Sequence, residues 1–124
     1  MDGRAGTGRQ AEDLAARALE RDGMEILARN WRRPEGELDL IARTPDGTCV
    51  FCEVRSRTGE GHGDPLEAIG ARKQARVIRA ARLYLNEETV TATGFRFDVV
   101  AVTFYDGGEP PRVVHIPGAF EVGG

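Results

Sequence analysis

The sequence predicts an α/β (α+β) domain in which helices flank a single mixed β-sheet, with elements in the order α-β-β-β-α-β-β. Three observations predict it. Apolar residues recur at helical spacing in two stretches, 9–22 and 66–86. Five other stretches carry the alternation, or the β-branched and aromatic enrichment, of strands. The 124 residues show no repeats or low-complexity blocks, and are enough for one core but too few for two.

Residues 9–22, "RQAEDLAARALERD", place Leu14, Ala15, Ala18 and Leu19 on one helical stripe, with Gly23 as the stop. "MEILARNWR" follows as a short strand with Met24, Ile26 and Ala28 on one side, interrupted by "RPEG". "GELDLIAR" and "TCVFCEVR" read as a hairpin. Their link "TPDGT" offers a Pro to preset φ, an Asp, and a Gly able to take positive φ, which suits a three-residue loop. After "SRTGEGHGDP", a mobile connection, Leu66, Ile69, Ala75, Ile78, Ala81 and Leu85 mark the apolar side of a long helix. "FRFDVVAVTFY" is a buried strand and "RVVHI" an edge strand. The glycine-rich ends, 1–8 and 121–124, lack periodicity and are expected to fray, leaving 9–120 as the domain.

A formal net charge of −3 argues against a protein that coats nucleic acid with its whole surface. The charge is unevenly spread, however. No acidic residue occurs from Ala68 to Asn86, where Arg72, Lys73, Arg76, Arg79 and Arg82 form a basic row able to attract phosphates. No window approaches the roughly 18 consecutive apolar residues of a membrane helix, and the N-terminus lacks the apolar segment of a secretory signal. A soluble cytoplasmic protein with no membrane partner is expected. Cys49 and Cys52 have C-x-x-C spacing, but residues three apart in a strand face opposite sides and no second Cys/His pair completes a zinc site. Both read as ordinary strand residues.

The hairpin carries the chemistry. With Pro45, Asp46 and Gly47 as the loop, Thr44 faces Thr48, which sets Asp39 opposite Glu53 and Glu37 opposite Arg55. Directly opposed side chains stand about 4.5–5.5 Å apart at Cβ, so two carboxylates are pressed together. Leu38, Leu40, Val50, Cys52 and Val54 alternate with the charged set, so the other face would pack on a helix. Like charges at that range need an offset: a shared proton, neighbouring arginines, or a divalent cation between the oxygens. Hard oxygen ligands favour Mg²⁺ or Mn²⁺, and a metal-held water is a nucleophile. The plain alternative is a solvated face on which Asp39 and Glu53 pair with Arg43 or Arg57.

"ARNWR", "GELDLIA", "FCEVRSR", "GDPLEAIGARKQ" and "RFDVVAV" together resemble the YraN-like family of uncharacterised bacterial proteins. That family resembles in turn the Holliday-junction resolvase and restriction-endonuclease-like superfamily with its PD-(D/E)XK signature. The resemblance implies a restriction-endonuclease-like fold and metal-dependent cleavage of DNA. It implies a Mg²⁺ or Mn²⁺ held by Asp39, Glu53, Glu12 from the first helix and the carbonyl of Val54. Arg55 departs from the pattern, because it stands where the superfamily has lysine and stays protonated, so it cannot act as a base. It can still neutralise a phosphate. Lys73 either takes over the lost lysine's role or belongs to the solvated basic row.

Other residues are assigned less. His62 lies in the connection and reads as surface, and His115 as structural. Trp31 would stack on a base or, on the plainer reading, be buried at the sheet edge. Asp98 would pair with Arg96 or support the helix. Three functions follow: a metal-dependent endonuclease on structured or branched DNA; a non-catalytic nucleic-acid-binding module using Arg72, Lys73, Arg76, Arg79 and Arg57; or a protein-interaction domain that forms a homodimer through the edge strand.

Overall fold

The computed structural model describes residues 8–59 and 69–122; expectations for His62, for Leu66 and for the extreme termini lie outside them. The order is α1 (Gly8–Arg21), β1 (Glu25–Arg33), β2 (Gly36–Arg43), β3 (Thr48–Thr58), α2 (Ala71–Glu88), β4 (Gly94–Phe104) and β5 (Arg112–Phe120). The five strands lie in sequence order in one sheet. Pairings are antiparallel except β3 with β4, which run parallel because α2 carries the chain across between them. The predicted mixed sheet with flanking helices is the one formed.

Each helix covers one face. Ala11, Ala15 and Leu19 of α1 pack on Leu40, Ala42, Val50, Cys52, Val100 and Val102. The deepest α1 positions include Ala11, while Leu14 and Ala18 of the expected stripe are only partly buried. Small side chains let that helix lie close to the sheet. On the opposite face Val77, Ala80, Ala81 and Tyr84 of α2 cover Ile41, Cys49, Phe51, Phe97 and Val99. Burying one such large apolar side chain contributes roughly 1.5–3 kcal/mol. The cysteines separate as strand geometry requires, Cys49 to the α2 side and Cys52 to the α1 side. Burial raises both thiols, Cys49 to about 11, so neither supplies a thiolate near neutral pH.

Three local expectations need correction. α2 starts at Ala71, not at 66, because Gly70 is its extended N-cap and Ile69 is buried ahead of the helix. In β1 a bulge between Ile26 and Ala28 breaks the alternation. Ile26 therefore packs with Met24 on the α1 side, while Ala28 packs on the α2 side. Leu38 likewise joins the α2-side cluster although Leu40 joins the other, so the alternation also breaks around Asp39.

The hairpin loop forms as read. Thr44 donates its N–H to the Thr48 carbonyl at 2.9 Å, Gly47 donates to the Thr44 carbonyl at 3.0 Å, and Gly47 takes φ 93°. The Asp46 carboxylate accepts from Thr48 N–H at 3.2 Å and from the Thr44 hydroxyl. This turn fixes the register that reaches the acidic pair.

Candidate functional site

The β2–β3 ladder runs from Arg43↔Cys49 to Leu40↔Cys52 and is recorded no further. Beyond it β2 stays paired with β1 as far as Gly36, while β3 stays paired with β4 as far as Thr58. The sheet thus forks, and Asp39 and Glu53 stand at the fork. There the Val54 N–H, which the ladder no longer uses, donates to the Asp39 carboxylate at 2.8 Å. The Asp39 N–H in turn donates to Glu53 Oε2 at 3.4 Å. Side chain and backbone are exchanged across the fork, which satisfies the groups that sheet pairing leaves behind.

Glu53 is 2% exposed, and Lys73 Nζ from the first turn of α2 lies 3.4 Å from its Oε1. Desolvation first, and then the Asp39 charge, push Glu53 up to about 7, although Lys73 and the Asp39 N–H pull the other way. Asp39 is also raised, chiefly by burial, with the Val54 N–H opposing. The nearby charges of Glu12 and Glu37 raise it further. One ammonium therefore faces two crowded carboxylates, and their repulsion is only partly offset.

Glu12 approaches from the α1 side. Its carboxylate accepts from Asn30 Nδ2 at 2.8 Å. Asn30 sits between the pairs Arg29↔Leu40 and Trp31↔Leu38, a register that puts it opposite Asp39. It takes φ 51°, a left-handed conformation that asparagine tolerates better than most residues. Sequence reasoning missed Asn30; its signal was an asparagine inside a strand, where that residue is disfavoured.

Glu37 does not face Arg55, as the extrapolated register required, because β2 has turned away with β1: Glu37 is across from Arg32, whose Nε is 3.7 Å from its carboxylate. Nor does Arg43 serve Asp39, since it is bonded to Glu25 at 2.9 Å. Arg55 is exposed on β3 beyond Glu53, across from Ala101, and Arg57 is half-buried across from Thr103. Arg72, Arg76 and Arg79 are exposed along α2. Lys73 is drawn out of that solvated row toward Glu53, which corrects its plainer reading.

The donor chemistry suits a hard cation. The buried Glu53 and half-buried Asp39 carboxylates converge, and Mg²⁺ commonly takes only one or two carboxylates while keeping several waters. Among the described residues no cluster of three His, Cys, Asp or Glu side chains is close enough to hold a metal, so Glu12 is not gathered with the pair. Val54 enters the site through its N–H.

The remaining polar residues build a separate structural knot. Asp98, fully buried, accepts from Arg96 Nε and Nη2 at 2.8 and 2.9 Å and from Gly118 N–H at 3.0 Å. His115 Nε2 is 2.7 Å from the same carboxylate and its Nδ1 is 3.3 Å from Asp22. These bonds hold Asp98 below the usual carboxylate range despite burial, and Asp98 first, then Asp22, raises His115. His115 is structural, as expected, and Asp98 does pair with Arg96. Trp31 is 8% exposed, with the Arg33 guanidinium 4.4 Å from its ring centroid, so burial wins over base stacking. Among the described residues no helix is long and apolar enough to cross a membrane.

The model of a family described as "Uncharacterised protein family UPF0102" matches residues 11–102. A UPF0102 protein of Syntrophotalea carbinolica is 48% identical over 121 residues, covering 98% of this chain and 96% of the relative. UPF0102 proteins of Frankia casuarinae and of Pseudomonas aeruginosa are each 48% identical, over 113 and 115 residues. They cover 91% and 92% of this chain, and 94% and 91% of the relatives.

Proposed function

We propose that this chain, which belongs to the uncharacterised protein family UPF0102, is a nuclease-like protein that uses Asp39 and Glu53 to cleave phosphodiester bonds in structured or branched DNA. The observation that carries the reading is the fork: two carboxylates held together by backbone N–H groups, with Lys73 beside them. Burial penalises the charge of both acids, which a bound cation would offset.

A Mg²⁺ or Mn²⁺ bound there would polarise the phosphate and lower the pKa of a water. This chain's own residues would do the rest. The Val54 N–H fixes one Asp39 oxygen and leaves the other for a ligand. Lys73 supplies positive charge where negative charge develops on the phosphate, and Arg55, always protonated, can neutralise a phosphate but takes no proton. The basic row of α2 supplies backbone contacts that position DNA without reading its sequence.

The test is cleavage of labelled junction, flap and single-stranded DNA with Mg²⁺ or Mn²⁺, comparing wild type with Asp39→Asn and Glu53→Gln. Metal-dependent cleavage by wild type, lowered at least ~100-fold in both variants, supports the reading. Equal cleavage by all three proteins would expose a contaminant and remove it. One observation favours a second reading, a nucleic-acid-binding module without catalysis: arginine occupies position 55, where the superfamily signature has lysine. Salt-dependent DNA binding with no cleavage under either metal would select it.

A further inference from the structure

Beside the fork, the turn joining β1 to β2 and the start of α2 enclose an open cleft of about 230 Å³, lined by Arg33, Gly36, Glu37, Lys73, Arg76 and Val77. Lys73 belongs to both places, since its ammonium is on Glu53 and its side chain lines the cleft. We propose that this cleft seats a backbone phosphate of the nucleic-acid strand next to the one presented to Asp39 and Glu53. It places the strand by charge and without reading a base. The inference rests on the nucleic-acid reading of the site.

Charge points to an anion. Three of the lining side chains are cationic and one is acidic. Glu37 already has an ion-pair partner outside the cleft, Arg32 at 3.7 Å. Arg33 and Lys73 are each steadied by a carboxylate, Glu87 at 2.9 Å and Glu53 at 3.4 Å. Arg76 is exposed and has no ion-pair partner among the described residues. It is the cation whose charge is left for a ligand.

Size and shape point to a phosphate group. The cleft is smaller than the roughly 300–1,000 Å³ typical of pockets that enclose a drug-sized molecule. The nearby aromatic ring, Trp31, is buried under Arg33 and offers no face to a base. Arg33 is itself immobilised: Nη1 donates to the Arg32 carbonyl at 2.7 Å and Nε donates to Glu87 at 3.0 Å. A pinned guanidinium loses little freedom on meeting an anion. Gly36 keeps the wall close, because a Cβ there would stand 3.2 Å from the Ala80 Cβ and 3.5 Å from the Arg76 carbonyl oxygen.

The experiment measures binding in EDTA, so that no metal-dependent cleavage intervenes, using fluorescein-labelled duplex oligonucleotides of three unrelated sequences over a range of salt. Arg76→Gln, a surface change whose thermal transition is first matched to wild type to rule out unfolding, is compared with Arg76→Lys. For Arg76→Gln the expected result is an equal loss of affinity on all three sequences, about 3- to 10-fold, and a log–log salt slope smaller by about 0.9. Arg76→Lys should restore the slope. An unchanged slope, a loss that differs between sequences, or no binding by wild type overturns the proposal. Failure of the nuclease reading looks different: cleavage is then absent with Mg²⁺ or Mn²⁺ while the Arg76 salt effect persists. Conversely, cleavage lost in Asp39→Asn alongside an unchanged Arg76→Gln slope removes the cleft and keeps the nuclease.

Discussion

Asp39 and Glu53 face each other across strands that have stopped pairing, with the Asp39 N–H 3.4 Å from Glu53 Oε2 and the Val54 N–H 2.8 Å from the Asp39 carboxylate. The acids take the place of the next rung of the ladder. Sheet geometry, rather than a flexible loop, therefore sets their separation, and consequences follow for stability as well as chemistry.

Lys73 is the only cation recorded on this pair among the described residues, and its worth should depend on pH. Glu53 is raised from 4.5 to about 7, so its contribution to stability is fully present below pH 4.5 and is lost as pH rises through 7. Above that, the buried charge relies on Lys73. In EDTA, Lys73→Met should destabilise the protein by ~1–3 kcal/mol at pH 8 and by much less at pH 5. Urea unfolding measures it, and the Glu53→Gln background should abolish the pH 8 loss. An equal loss at both pH values would mean that Lys73 acts by packing alone.

Asn30 separates backbone strain from positioning. Asn30→Ala should cost ~1–2 kcal/mol, since alanine is poorly suited to φ 51° and loses the Glu12 bond. Asn30→Gly should recover most of that stability, because glycine accepts the conformation, but not the bond. Because Glu12 is not gathered with the pair, both variants should keep the metal-dependent cleavage rate within about 3-fold of wild type. A large loss of cleavage in both variants would instead give the Asn30–Glu12 bond a part in the site.

His115 should make stability fall on the alkaline side for a different reason. Its value is raised by Asp98 and then Asp22, so its contribution is complete below its unfolded value of 6.5 and fades as pH rises through the folded one. The destabilisation caused by His115→Gln should be ~1–3 kcal/mol at pH 5.5 and clearly smaller at pH 9. Unfolding curves for both proteins at the two pH values check this. A pH-independent difference would mean that His115 sits neutral against Asp98.

Much of this architecture was legible because it depends on local patterns. The Pro45-Asp46-Gly47 turn fixed the hairpin register, and the register brought Asp39 to Glu53. Extrapolation failed where the ladder ended: nothing local to Glu37 says that β2 leaves β3 and keeps Arg32 as its neighbour. The bulge after Ile26 and the left-handed Asn30 were hidden for a similar reason, since the contacts that go with them are tertiary: Ile26 packs in the α1-side cluster, Ala28 in the α2-side cluster, and Asn30 bonds Glu12 of α1. Lys73 read as one more member of a basic row because helical spacing tells which residues share a face, but not that a buried glutamate lies beneath it.

The most direct test of the central claim, that Asp39 and Glu53 form a cation site, is calorimetric titration of Mn²⁺ into metal-free wild type and Asp39→Asn near pH 7. Wild type should bind saturably, with a heat that changes with the buffer's ionisation enthalpy as Glu53 gives up its proton. Asp39→Asn should show no saturable heat. Absence of binding to wild type, or the same isotherm from both proteins, would contradict the claim.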